Sequence, residues 1–168
     1  PDKVYATVYA HYETALKRSA ALDFDDLLVQ PIRLLRRRPE LAERYSSRIK
    51  WLLVDEYQDT NPLQYALIRL LAAKHRNLCC VGDEDQSIYA FRGADIRNIL
   101  DFERDFPDAT IVKLEQNYRS TGTILAAASS VIRNNKSRHA KTLWTENPRG
   151  EPLTIRVCQD DRSEADFV

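Results

Sequence analysis

Residues 52–59 have the sequence Leu-Leu-Val-Asp-Glu-Tyr-Gln-Asp, in which a short apolar run ends abruptly in two carboxylates, Asp55 and Glu56. In a parallel α/β sheet, ligands bind in the crevice beyond the carboxyl ends of the buried strands. Two acids at such a strand end can hold a metal ion and activate a water molecule, as nucleotide triphosphatases do. The alternative is a surface strand end that simply carries two acids, and the Gln-Asp-Thr-Asn sequence at residues 58–61 makes the first interpretation more specific.

The sequence on both sides of this stretch alternates between strand-like and helix-like patterns. Apolar runs predict strands at residues 49–54, 78–81, 109–114 and 153–157. Helical spacing and capping residues predict helices at residues 3–20, 24–37, 39–45, 62–74, 95–106 and 122–133, and a further helix from residue 161. The alternation predicts an α/β fold with a parallel sheet. The helices before residue 49 have no partner strands, so we expect them to belong to a separate helical element.

The charge composition limits how this chain can bind nucleic acid. Its 168 residues include 25 Lys+Arg and 25 Asp+Glu, so the formal net charge is zero and any such binding needs a local patch. The densest basic run, at residues 36–38, is expected to be a solvated helix face. The three cysteines and three histidines lack the spacing of a metal site. No signal peptide or membrane span is predicted, and a reducing, cytoplasmic setting is the simplest expectation.

A second motif, at residues 81–95, follows the next predicted strand, so its polar groups are expected at the same edge of the sheet. Gln86 has an amide that both donates and accepts hydrogen bonds, which suits sensing of a γ-phosphate. Tyr89 and Phe91 lie beside Arg92 in the sequence, and exposed aromatic rings next to arginine form stacking platforms for unpaired bases. The alternative interpretation places Tyr89 and Phe91 in the hydrophobic core.

A third motif, at residues 114–120, follows another predicted strand. Tyr118 offers a ring that could stack on a purine, and Arg119 offers a planar, permanently charged group suited to a triphosphate. An arginine entering from a second domain is a known device for phosphoryl transfer. The alternative is that Arg119 caps a turn or pairs with Glu115.

These three motifs, in this order and spacing, resemble motifs II, III and IV of the superfamily 1A helicases of the UvrD/Rep/PcrA type. Residues 22–27 and 141–145 resemble further family segments, and the similarity extends over residues 22–157. The resemblance implies a partial RecA-like (P-loop NTPase) parallel sheet with flanking helices, followed by the start of a second RecA-like domain. It also implies domain boundaries, which we place at residues 1–22 (end of a helical insertion), 23–113 (second half of the first motor domain) and 114–168 (start of the second).

The family's functional residues can be carried over position by position. Asp55 resembles the Mg²⁺-coordinating aspartate, with Glu56 as a second candidate ligand of the metal, and Glu56 resembles the catalytic base. Gln86 resembles the glutamine that contacts the γ-phosphate, Tyr118 the adenine-stacking tyrosine, and Arg119 the arginine finger. Tyr89, Phe91 and Arg92 resemble the family's DNA-facing segment. At the position of Phe91 the family often has Trp.

The resemblance implies an ATP-dependent 3′-to-5′ DNA helicase that uses ATP and Mg²⁺ and binds single-stranded DNA and junctions with duplex DNA, in repair or replication. Partner proteins of those processes are expected. The sequence has no Gly-x-x-x-x-Gly-Lys-Thr, so the phosphate-cradling P-loop is absent. We therefore expect the chain to be an internal piece of a longer helicase and to be unable to hydrolyse ATP by itself. Three alternatives remain open: a RecB/AddA-type helicase–nuclease, a truncated non-catalytic binding paralogue, and an ATPase without a nucleic-acid role.

Overall fold

The structure is a computed structural model that describes residues 2–136, 138–139 and 141–168. The chain forms two compact units, one ending at Pro107 and the other beginning at Asp108. The domain boundaries expected from the resemblance remain predictions. No helix in the described ranges is both long and apolar enough to cross a membrane.

The first unit alternates helices with two short strands, as the sequence predicts. Its elements in chain order are α1 (Asp2–Arg18), α2 (Asp26–Arg37), α3 (Pro39–Arg48), β1 (Leu52–Val54), α4 (Pro62–Ala72), β2 (Leu78–Cys80), α5 (Arg97–Leu100) and α6 (Phe102–Asp105). Single turns of 3₁₀ helix lie at Tyr57–Asp59, Glu84–Gln86 and Ala90–Arg92. The predicted α/β fold with flanking helices is therefore confirmed.

The two strands are parallel and are joined through α4, so their carboxyl ends lie at one edge. Leu52 pairs with Leu78, and Val54 pairs with Cys80. These four side chains are half-buried on one face, whereas Leu53 on the other face is 74% exposed. Because successive residues of a strand point to opposite faces, the two adjacent cysteines differ in the same way. Cys79 is exposed, and burial raises the pKa of the Cys80 thiol to about 12.

Helix α4 begins where the sequence predicts it. The Asn61 side chain accepts hydrogen bonds from the N–H groups of Leu63 and Gln64, and the Gln64 side chain accepts one from the Asn61 N–H. This capping box satisfies donors that the first helical turn leaves without partners. Pro62 occupies the first turn, where its missing N–H costs nothing.

Helix α2 packs against α4 and forms the main apolar core of the first unit. The buried apolar side chains here are Ile32 and Leu35 from α2, and Ile68 and Ala72 from α4. The N-cap residue of α2 is Asp25, which makes no side-chain capping hydrogen bond, and the helix begins two residues later than predicted. The Asp23 side chain, which the sequence predicts as the cap, instead accepts a hydrogen bond from the Asp26 N–H at 2.8 Å. The expectation that the helices before residue 49 form a separate element is wrong for α2 and α3, because both pack against α4. Helix α1 contains no buried residue, and its place in a separate element remains a prediction.

The sequence-based prediction is wrong for three other elements. The helix predicted at residues 95–106 divides into α5 and α6, because Asp101 leaves the helical conformation (φ −92°, ψ 7°). The strands predicted at residues 109–114 and 153–157 do not form. Both segments are exposed along their length. A strand needs a paired strand as well as β-forming side chains, and neither segment pairs with another strand of the described residues.

The second unit is built from α7 (Gly122–Ile132), α8 (Asp161–Phe167) and an extended pair of segments before and after α7. A parallel β-bridge joins Gln116 to Trp144. Gly122 N–H donates to the carbonyl of Pro148, and the N–H and hydroxyl of Thr123 both donate to the carbonyl of Arg149. The start of α7 is thus anchored to the backbone of Pro148 and Arg149.

Candidate active site

The two acids of the opening motif lie directly after β1, and both are exposed. One carboxylate oxygen of Asp55 accepts a hydrogen bond from the Glu56 N–H at 2.9 Å. Glu56 itself has a left-handed backbone conformation (φ 50°, ψ 43°). For a residue with a Cβ this conformation costs roughly 1 to 2 kcal/mol, and such strain clusters at functional sites. The chain therefore turns sharply at the position predicted to supply the catalytic base.

The turn after Glu56 is anchored in the core. Tyr57 is buried, its N–H donates to the Val81 carbonyl at 2.9 Å, and its ring meets Phe102 edge-on with centroids 5.6 Å apart. Burial raises the pKa of the Tyr57 phenol, so this ring is neutral at physiological pH. We call residues 55–59 the acidic turn. Its backbone is fixed to the residue that follows β2 by the hydrogen bond from Tyr57 to Val81.

Gln58 connects the acidic turn to the second motif, a role that the sequence did not reveal. Its side chain donates a hydrogen bond to Glu56 Oε2 at 2.8 Å and accepts one from the Asp83 N–H at 3.0 Å. The same amide nitrogen lies 3.3 Å from Asp59 Oδ2. The only signal in the sequence was the neutral amide of Gln58 among three acidic residues, Asp55, Glu56 and Asp59. Ionised carboxylates cannot hydrogen-bond to one another, whereas an amide can donate to them.

The second motif begins with a close approach of two backbone segments. A Cβ on Gly82 would lie 2.8 Å from Gln58 Oε1 and 3.2 Å from Tyr57 N, so only glycine fits at this position. The next residue, Asp83, accepts hydrogen bonds from the Asp85 N–H at 3.0 Å and from Gln86 Nε2 at 2.8 Å. Gln86, the predicted γ-phosphate sensor, is exposed and is held by this carboxylate.

The predicted stacking residues lie together on the surface of the first unit. The rings of Tyr89 and Phe91 have centroids 5.9 Å apart, and Arg92 Cζ lies 5.7 Å from the centre of the Tyr89 ring. Tyr89 is 37% exposed and Phe91 is 81% exposed, so the alternative interpretation of both as core residues is wrong. Two rings and a guanidinium group at the surface have the composition of a base-stacking platform.

In the second unit, Tyr118 and Arg119 are exposed on a loop held by two asparagines. The Asn117 side chain accepts hydrogen bonds from the N–H groups of Arg119 and Ser120. The Asn147 side chain donates to the carbonyls of Tyr118 and Ser120, each at 3.1 Å. Sequence reasoning assigned no role to either asparagine, although Asn is a common turn-forming residue.

The sequence left two alternative roles for Arg119, which are an ion pair with Glu115 and a cap of the turn. Glu115 Oε1 accepts a hydrogen bond from the Thr142 N–H at 2.8 Å. Within the described residues, no carboxylate forms an ion pair with Arg119. The cap of the turn is provided by Asn117, so the guanidinium group of Arg119 is available for an anionic ligand.

The acidic turn suits a hydrated Mg²⁺ ion. This ion prefers oxygen ligands and keeps several of its waters, so one well-placed carboxylate can hold it, and Asp55 is exposed at the strand end. A buried oxygen nearby, Asp59 Oδ1, has no hydrogen-bond partner among the described residues, which makes the turn rich in acceptors. No group of three or more His, Cys, Asp or Glu residues in the described ranges is arranged as a metal cage. Asp55 is therefore the residue that would hold such an ion.

Comparisons with known proteins identify the family of this chain. The family model of the UvrD/REP helicase N-terminal domain matches residues 1–107, and that of the UvrD-like helicase C-terminal domain matches residues 112–168. The chain is 54% identical over 167 residues to the ATP-dependent DNA helicase PcrA of Staphylococcus aureus, covering 99% of this chain and 23% of that protein. It is 52% identical over the same length to DNA helicase II of Rickettsia typhi and to a probable DNA helicase II homologue of Rickettsia felis, covering 99% of this chain in both comparisons and 25% and 26% of those proteins.

The chain therefore spans about a quarter of the length of the curated relatives named here. The similarity to the UvrD/Rep/PcrA type, predicted from three motifs, is confirmed along nearly the whole chain. This chain belongs to the UvrD/REP helicase family.

Proposed function

We propose that the protein containing this chain is an ATP-dependent DNA helicase that couples ATP hydrolysis to 3′-to-5′ movement on single-stranded DNA. One observation carries the proposal: the carboxyl ends of β1 and β2 lie side by side and are followed by the acidic turn and by the turn of Gln86. Parallel strands bind their ligands at this edge. The names of the relatives, DNA helicases in each case, support the proposal.

The first unit would supply the residues that act in ATP hydrolysis. Asp55 would hold a hydrated Mg²⁺, which when bound neutralises charge on the phosphate oxygens. Glu56 would orient the attacking water and accept its proton. Gln86 would hydrogen-bond to the γ-phosphate, because the residue is exposed and its side chain is positioned by a hydrogen bond to the Asp83 carboxylate.

The remaining predicted residues would bind the adenine and the nucleic acid. Tyr118 would stack on adenine, and Arg119 would contribute a positive charge toward the phosphates. Tyr89, Phe91 and Arg92 would hold unpaired bases by stacking. Junctions between single- and double-stranded DNA are the expected substrates, with repair or replication proteins as partners in the cytoplasm.

The decisive experiment measures phosphate release by the full-length gene product with and without single-stranded oligonucleotide. Glu56→Gln keeps the size of the side chain but removes the proton acceptor, so we expect kcat to fall by roughly 10²- to 10⁴-fold. Glu103→Gln is the matched control, because Glu103 is an exposed residue of α6 outside the site. We expect this variant to retain the wild-type rate.

Two results would contradict the proposal. One is wild-type phosphate release that single-stranded DNA does not stimulate, and the other is a Glu56→Gln variant as active as the control. Unwinding of a duplex with a 3′ tail, compared with the same duplex carrying a 5′ tail, tests the direction of movement. Equal unwinding of both would refute the 3′-to-5′ assignment.

A further inference from the structure

Gln58 is a buried amide between two turns that carry candidate catalytic groups. Its side chain belongs to a residue that is only 1% exposed, and it hydrogen-bonds to Glu56 on one side and to the Asp83 backbone on the other. Its backbone carbonyl also accepts a hydrogen bond from the Ser87 hydroxyl at 3.4 Å. Buried polar groups are costly unless they are satisfied, and here the partners come from both motifs.

The hydrogen-bond pattern determines the orientation of the Gln58 amide. The Asp83 N–H can only donate, so the group facing it must be the amide oxygen. The amide N–H groups therefore face Glu56 and Asp59, whose carboxylates accept when ionised. A flipped amide would place its oxygen against these two acceptors and would leave the Asp83 N–H without its acceptor. Only one orientation satisfies both sides.

The contacts of Gln58 extend to the predicted phosphate sensor. Asp83 donates its backbone N–H to Gln58 and accepts a hydrogen bond from Gln86 with its carboxylate. A continuous series of hydrogen bonds thus joins Glu56 to Gln86 through Gln58 and Asp83. A shift of either end would change the hydrogen-bond geometry of the other, because Gln58 is only 1% exposed and water has little access to its amide.

We infer that Gln58 is a positioning residue that fixes the Glu56 carboxylate relative to the Gln86 turn. The inference rests on the proposed function, since it assigns Gln58 to the same hydrolytic site. Gln58 does not touch the substrate in this scheme. It acts by holding a strained left-handed residue and a glycine-dependent turn in one relative position. Effective catalysis requires this kind of alignment, because displacement by 1 Å can cost about a hundredfold in rate.

Two substitutions separate the two hydrogen bonds of Gln58. Gln58→Leu removes both of them. Gln58→Glu keeps an oxygen that can accept from the Asp83 N–H but replaces the donor that faces Glu56 with a second acceptor. Matched controls are the same two substitutions at Gln64, an exposed glutamine in the first turn of α4.

The first readout is hydrogen–deuterium exchange of the full-length protein without nucleotide, followed by mass spectrometry of peptides covering residues 82–87. We expect faster exchange in Gln58→Leu, because the Asp83 N–H loses its acceptor. Exchange in Gln58→Glu and in both Gln64 variants should match the wild type in these peptides. Unchanged exchange in Gln58→Leu would overturn the inference, as would faster exchange that extends to α2 and α4, since Gln58 would then be a general folding residue.

The second readout is steady-state ATP hydrolysis. We expect kcat to fall at least about tenfold in both Gln58 variants, with the KM for ATP within about twofold of the wild type. A kcat within about twofold of the wild type in both variants would overturn the inference. An inactive wild-type protein would refute the proposed function instead, and the exchange experiment would still test the link between the two turns.

Discussion

The acidic turn after β1 and the loop of Tyr118 present their candidate residues in different ways. In the first unit, Glu56 and Gln86 project from a strand edge whose linking amide is buried. In the second unit, Tyr118 and Arg119 project from a loop whose backbone is held by half-buried asparagine side chains. The Gln58 side chain has little access to water that could replace a lost partner, whereas the half-buried Asn117 and Asn147 side chains have more. We therefore expect the first arrangement to be far more sensitive to small changes than the second.

The largest effect is expected from adding one methyl group at Gly82. In Gly82→Ala the new Cβ would lie 2.8 Å from Gln58 Oε1 and 3.0 Å from Ile99 Cδ1, so the buried amide must move. Overpacking of this kind costs about 1 to 3 kcal/mol, and kcat should fall with it. Thermal unfolding and phosphate release of the full-length variant measure both effects.

The matched substitution in the second unit is Gly122→Ala. There the new Cβ would lie 3.5 Å from Arg149 Cα, which is an ordinary contact, and the position begins a helix. We expect a change within about 0.5 kcal/mol. If Gly82→Ala and Gly122→Ala lowered the free energy of unfolding equally, the proposed difference between the two units would be wrong.

A second test concerns the surface of the first unit rather than its interior. Phe91→Ala removes a ring that is 81% exposed, so stability should change little while affinity for single-stranded DNA falls. The loss of one stacked base corresponds to about 1 to 3 kcal/mol of binding free energy. Fluorescence anisotropy with a labelled oligonucleotide at low salt measures it.

Phe24→Ala is the control for this test, because Phe24 is also an exposed phenylalanine but lies outside the predicted platform. If both variants bound DNA as tightly as the wild type, the platform formed with Tyr89 and Arg92 would be refuted. If Phe24→Ala alone weakened binding, the DNA path would have to be placed elsewhere on the unit.

A smaller loss than that of Gly82→Ala is expected in the loop of the second unit. Asn147→Ala removes two hydrogen bonds, to the carbonyls of Tyr118 and Ser120. Water can replace these partners near the surface, so the cost should be about 0.5 to 1.5 kcal/mol. We expect a higher KM for ATP with little change in kcat, and faster hydrogen exchange at residues 117–121. Asn134→Ala, at the exposed end of α7, serves as the control. A loss of kcat as large as that of Gly82→Ala would show that the loop is as constrained as the strand edge.

Local patterns were sufficient where a structural feature depends on neighbours in the sequence. The start of α4 was predictable, because the capping box at Asn61 forms within a few residues along the chain. The order and spacing of the three motifs also identified the family, and the comparisons confirm it. The α/β alternation around β1 and β2 follows from apolar periodicity, which is equally local.

Features that depend on distant neighbours could not be predicted in this way. The segment at residues 109–114 is rich in β-forming side chains, yet it pairs with no other strand of the described residues and stays exposed. The burial of Gln58 depends on Asp83, 25 positions along the chain, and the left-handed turn at Glu56 depends on the contact of Tyr57 with Val81. The amino-acid sequence alone therefore determined the family and nominated the residues that we propose to carry the chemistry. The tertiary structure determined which side chain is buried between them, because burial and strand pairing arise only when distant segments meet.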